Sequence, residues 1–356
     1  MEGERIESLD IAKGMAIILM VAGHACIEGG RFTLWLHDFI YTFHMPFFMI
    51  VSGYLYNSNN AKTQGKYIGR KFNSLYLKFV LYNLVFILLN NVLFYIGVIN
   101  SDYTFYGQSY SEYSLTRYWA KVLETLFTFG DPENTTLALW YLKDLFLVAV
   151  LFNLLMRIGW LKNNEAVIVG ASLVLAVFTP TGTIPVVYIN LKRLFCEIFL
   201  YGLGYMIKEK DIRIRYWGGY LVMLIMMVVS SLMNHIELRA PFGSINTFRF
   251  LIVGVAGYFC FVRAMQFLQM YSNDIVRKGL LLVNRYAIPI IALHIIVFKL
   301  FSYVVYGHIS SYNVVPPSSS NIIWLVYMIL GIMVPVIIME SIHVMPFPFK
   351  GKIKTD

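Results

Sequence analysis

Residues 11–28 read IAKGMAIILMVAGHACIE, and ten uncharged residues separate Lys13 from His24. A chain needs roughly 20 mostly apolar residues to cross a bilayer as a helix. This stretch therefore reads as a transmembrane helix that carries two ionisable groups. Working outward, nine more segments have the same character: 39–56, 74–98, 139–157, 165–180, 191–207, 217–234, 247–268, 286–306 and 321–340. The whole chain of 356 residues is 58% hydrophobic and only 14% charged, where soluble domains carry about a quarter charged residues. The expected fold is all-α: one polytopic membrane bundle of about ten helices, filling residues 1–356 as a single domain.

The basic residues decide the expected orientation. With the N-terminus in the cytoplasm, seventeen Lys and Arg fall in inside segments and six in outside ones. The cytoplasmic bias of Lys and Arg then places both termini inside the cell, in the plasma or inner membrane. It also accounts for the net charge of +9 without any nucleic-acid partner. Residues 1–10 set Glu2, Glu4, Glu7 and Asp10 against Arg5, so the basic n-region of a secretory leader is missing. Cys26, Cys196 and Cys260 lie in apolar runs without metal-ligand spacing and read as packing residues. No metal is expected.

Residues 99–138 form the one long outside segment. Within it Trp119, Val122, Leu123, Leu126 and Phe127 recur at helical spacing, which reads as an amphipathic interfacial helix. It serves either as an anchor for the loop or as a lid over a cleft.

Ionisable residues inside spans are costly and point to function. Lys13 and His24 share one helix face, separated by about 16 Å along the axis. Lys13 can snorkel to the interface or pair with Asp10. His24, beside Gly23, sits deep in the outer half. The second span descends from outside, so His44 lies at a comparable depth, next to a kink expected at Pro46. Ser52-Gly53 makes a small polar notch that suits either helix packing or binding. Two histidines at one depth beside a kink indicate a polar cavity. Trp140-Tyr141 opens the fourth span as an aromatic belt, with Lys143-Asp144 as a local anchor. Lys192-Arg193 opens the sixth span and could hold an anionic sugar or a lipid phosphate, with Glu197 within pairing reach. His294 lies in the middle of the ninth span, after Pro289. Arg249 and Arg263 mark opposite ends of the eighth. His235, His308 and His343 lie at or beyond span ends and have little to recommend them. Lys13, Lys66, Arg70 and Lys71 gather at the cytoplasmic mouth, where they could hold phosphates. The chain has no Walker loop, dinucleotide-binding glycine motif, HExxH or GxSxG.

Arg5 to Gly14, Gly23-His24, and Phe43-His44-Met45-Pro46-Phe47-Phe48 through Ser52-Gly53-Tyr54 together resemble acyltransferase family 3. These are multispan membrane enzymes that place acyl groups on cell-surface glycans. Within the family the chain is most similar to the fucose 4-O-acetylase-like branch. Lys13 stands where many relatives have arginine, which keeps the charge and loses the bidentate fork. Leu75-Tyr76-Leu77 departs from the Pro-Tyr pair that often enters the third helix. Trp140-Tyr141-Leu142 and His294 resemble weaker landmarks.

The resemblance implies an O-acetyltransferase using acetyl-CoA as donor and a glycan or lipid-linked sugar as acceptor. His24 is the expected base, or the transient acyl carrier. His44 orients it or steadies the oxyanion. Arg5, Lys13, Arg70 and Lys71 hold the donor phosphates, while Ser52 and Gly53 line the thioester path. Trp140, Tyr141, Lys192, Arg193 and His294 are the expected acceptor-side residues. A proton-coupled transporter or flippase of an anionic solute is the rival reading from another class.

Overall fold

The computed structural model describes residues 2–26, 30–57, 63–99, 104–105, 108–130, 134–161, 164–184, 188–233, 235–238, 243–307 and 323–344. The side chains of residues 2–6, Arg5 among them, lie outside that description, as do Lys62, Lys162, Pro185, Arg239, His308 and the three lysines after residue 349. The described helices run α1 (Glu2–Ala25), α2 (Arg31–Tyr41), α3 (His44–Tyr54), α4 (Gln64–Lys71), α5 (Leu77–Tyr95), α6 (Leu115–Phe127) and α7 (Trp140–Leu155) in the first half. They continue as α8 (Glu165–Phe178), α9 (Leu191–Glu209), α10 (Trp217–Ser231), α11 (Ser244–Tyr271), α12 (Asp274–Arg285), α13 (Ala287–Tyr306) and α14 (Ile323–Val344). Two minimal antiparallel ladders, Thr104–Phe105 with Gln108–Ser109 and Thr183–Ile184 with Ile189–Asn190, are the strands among the described residues.

Among the described residues six helical segments are long and apolar enough to cross a membrane: Glu7–Ala25, Gln64–Tyr95, Thr135–Leu155, Ser244–Tyr271, Ala287–Val305 and Ile323–Ile342. The protein is an all-α membrane protein apart from those two minimal ladders. The other four expected spans differ for identifiable reasons. α8 and α10 are apolar but short. α9 is long enough, and it carries Lys192, Arg193 and Glu197 in its first two turns. The expected second span is broken in two. α2 ends at Tyr41, and α3 begins at His44.

Pro46 explains that break. It is the third residue of α3, a first-turn position where its missing N–H would have had no helical acceptor. It therefore starts a helix, where the sequence reading expected it to kink one. The break seats against α11, in which Gly254 and Gly257 leave room for Pro46 and Phe43. Below it, α3 and α9 meet backbone to backbone. A Cβ on Gly53 would overlap the Tyr201 carbonyl, and one on Gly204 the Ile50 carbonyl.

α1 is the axis of the bundle, packed on α2, α3, α11, α12, α13 and α14. α12 was expected as part of a basic inside segment between spans. It forms because Asn273 caps it, its Oδ1 accepting the Val276 N–H at 3.0 Å, and because Leu280 and Val283 give it a buried stripe. The amphipathic helix expected within residues 99–138 is α6, capped by Ser114. Its apolar stripe points away from the protein: Trp119, Leu123, Leu126 and Phe127 are exposed. Its other face is tied down, with Tyr76 donating to the Thr125 carbonyl at 3.0 Å.

Candidate active site

Three of the singled-out histidines converge where α1, α2, α3 and α13 meet. The His24 and His294 rings are 5.1 Å apart. His44 packs its ring edge against Tyr41, centroids 4.7 Å apart, and the Tyr41 hydroxyl lies 3.2 Å from His24 Nδ1. His44 thus reaches His24 through Tyr41, which the sequence reading did not single out. His37 joins on the other side, 4.0 Å from the Tyr41 ring. His235 stacks on His37 at 5.2 Å and bonds Asp38 Oδ1 through Nδ1 at 2.6 Å.

The hydrogen bonds fix the tautomers. A backbone carbonyl can only accept, so a ring nitrogen facing one carries the proton. Nδ1 of His37 faces the Gly23 carbonyl at 3.0 Å, that of His44 the Ile40 carbonyl at 2.9 Å, and that of His294 the Ile290 carbonyl at 2.8 Å. In the neutral ring each then presents a bare Nε2. For His294, which is fully buried, that Nε2 has no hydrogen-bond partner. Burial lowers the pKa of His37 to about 4, against the opposing pull of the Gly23 carbonyl, so this ring is neutral at physiological pH. A group of bare imidazole nitrogens in a bundle interior can accept protons from hydroxyl groups.

Lys13 is elsewhere. Its Nζ pairs with Asp10 at 2.6 Å, and Asp10 accepts from Asn284 of α12 at 3.2 Å. It lies about 16 Å along α1 from His24. Arg70 and Lys71 end α4, which packs on α7 and the π-helical turn Phe72–Tyr76. Ser52 donates to the Phe48 carbonyl at 2.7 Å and meets the Tyr141 hydroxyl at 3.5 Å. Gly53 is covered by Tyr201 and serves the α3–α9 contact.

The remaining polar residues make a second buried cluster between α7 and α9. Arg193 Nε pairs with Asp144 at 2.7 Å and lies over the Trp140 ring at 5.1 Å. Lys192 donates to the carbonyls of Val177 and Thr179, and Lys143 to that of Phe129. Lys192 and Arg193 are buried, so they are not the open cationic pair their place at a span edge suggested. Trp140 and Tyr141 are buried too, in contrast to an interfacial belt.

Tyr41 and His37 have one weak signal in the sequence. His37, Tyr41 and His44 fall at i, i+4 and i+7, one face of a helix. The expected span boundary at 39 cut through that pattern. Beside the break an apolar cavity of about 610 Å³ opens between α2, α10 and α11, with Phe39, Phe43, Leu221, Leu224, Met227 and Phe261 among its walls.

Comparison with known proteins adds three findings. The acyltransferase 3 family profile, described as "Acyltransferase domain", matches residues 6–340. "Nodulation protein NolL" of Mesorhizobium japonicum is 46% identical over 54 residues, an alignment covering 14% of each chain. No solved structure matches.

Proposed function

The chain belongs to acyltransferase family 3, and from that premise we propose that it moves an acetyl group from acetyl-CoA to a hydroxyl of a cell-surface or lipid-linked glycan. The observation that carries this reading is the meeting of His24, Tyr41 and His294 inside a membrane bundle. The similarity of the first two motifs to the fucose 4-O-acetylase-like branch supports a sugar hydroxyl as acceptor. The apolar cavity beside the α2–α3 break supports a lipid-linked one.

In this reading His24 donates Nδ1–H to Tyr41 and takes the acceptor's hydroxyl proton on Nε2. The oxygen attacks the thioester carbonyl, the carbon–sulfur bond breaks, and the proton leaves with the CoA thiolate. His294, its bare Nε2 beside the His24 ring, steadies the imidazolium while it exists. His44 holds Tyr41 in place from its far side. Lys13 waits about 16 Å away, a span for the extended pantetheine arm to cover, and receives the donor phosphates with Arg5, Arg70 and Lys71. All ten apolar segments then cross the plasma or inner membrane with both termini in the cytoplasm, which the bias of seventeen basic residues against six supports.

The test is thiol release. Purified protein given acetyl-CoA and a panel of free and lipid-linked sugars is expected to free CoA and add an acetyl mass to one of them. A thioester that stays intact with every acceptor, at saturating donor, would refute the reading.

A further inference from the structure

We propose that His37, Asp38 and His235 bind a single zinc-class divalent ion at the rim of the histidine cluster. One donor atom from each of the three residues lies within 4.8 Å of the others. Zinc bonds imidazole nitrogen at 2.0–2.1 Å and carboxylate oxygen at 2.0–2.2 Å, so a tetrahedral site needs donors roughly 3.3 Å apart. His235 Nδ1 and Asp38 Oδ1 are already closer than that, at 2.6 Å. Small side-chain rotations therefore complete the set.

The surroundings suit a metal ligand. The Gly23 carbonyl holds the His37 Nδ1–H at 3.0 Å, the outer-shell contact that turns the other ring nitrogen into a ligand. Asp38 opens the last turn of α2 and His37 directly precedes it, a helical base. His235 comes from the segment after α10, where Ile236, Glu237 and Leu238 are buried and pin the backbone. The side chains of His235 and Asp38 are 39% and 28% exposed, which gives the ion a way in from water. Two imidazoles and one carboxylate select zinc and its transition-metal neighbours over calcium or magnesium. Three protein ligands leave the fourth position for an oxygen. The Tyr41 ring, bonded through its hydroxyl to His24, lies beside both histidine ligands, at 4.0 and 5.5 Å. The ion would fasten α2 to the 235–238 segment one ring away from His24. The proposal stands on these ligands and does not require the acetyl-transfer reading.

Metal analysis of tag-free protein tests it. Protein stripped with chelator, loaded with zinc chloride and gel-filtered should carry one zinc per chain. His235→Ala and Asp38→Asn should each lower zinc affinity at least tenfold. Cobalt-loaded wild type supplies a readout that no variant's folding can obscure: visible bands of a four-coordinate site, with X-ray absorption showing two imidazoles. Wild type that retains less than a tenth of an equivalent of zinc would overturn the proposal and leave a simple His235–Asp38 ion pair. Stoichiometric zinc that both substitutions leave untouched, or cobalt spectra without imidazole scattering, would overturn it as well.

Discussion

The bundle buries two polar clusters, and they are built on opposite terms. Between α7 and α9, each cation has a partner: Arg193 in Asp144, Lys143 and Lys192 in backbone carbonyls. Around His24 the backbone accepts from one nitrogen each of His37, His44 and His294, and the Nε2 of His294 is left without a partner. The difference follows from charge. A buried cation must be fully paired, because the desolvation it suffers is several kcal/mol. A neutral imidazole can be buried with one side open, since an unmet acceptor costs only about 1–3 kcal/mol. Paired cations of this kind hold a fold together, whereas a neutral imidazole keeps a nitrogen that can do chemistry.

Substitutions can break this contrast. The largest effect is expected at His24. His24→Ala should lower the rate of acetyl transfer by about 10²- to 10⁴-fold, with little change in thermal midpoint, as read by thiol release and by melting in detergent. Arg193→Ala should do the reverse. Leaving Asp144 buried without its partner is expected to destabilise the protein by about 3–5 kcal/mol, seen as a lowered melting temperature, while the folded fraction keeps its turnover. Tyr41→Phe sharpens the comparison within the histidine cluster. It removes one hydrogen bond worth about 0.5–1.5 kcal/mol, so turnover should fall up to roughly tenfold while acetyl-CoA affinity holds. If Arg193→Ala abolishes turnover in folded protein, the α7–α9 cluster belongs to the site, and the two clusters work as one.

Much of this could be read from apolar run length and the few ionisable residues inside those runs. α1, α5, α7, α11, α13 and α14 follow from long hydrophobic stretches, and His24, His44 and His294 from the rarity of imidazoles within them. The rest depends on tertiary placement. Pro46 has two meanings in one dimension, a kink or a first turn, and only the glycine notches of α11 choose between them. α12 hides because a short basic amphipathic helix has the composition of a loop. Lys192 and Arg193 look like a cationic lip until α7 supplies Asp144 and Trp140. Tyr41 shares a helical spacing with His37 and His44, but its contact with His24 on α1 is made only in the folded bundle. His235 is nearly two hundred residues from Asp38, so their pairing is invisible until the chain folds.

The reciprocal glycine contacts between α3 and α9 have an evolutionary consequence. With each backbone occupying the space a side chain would need, the two helices are locked in register like meshed gears. His44, at the head of α3, is therefore carried on a fixed post. Lineages that acquire new acceptors are expected to leave this pair alone and to diversify in α2 and in the walls of the apolar cavity, where a substitution reshapes the pocket without stripping the gears.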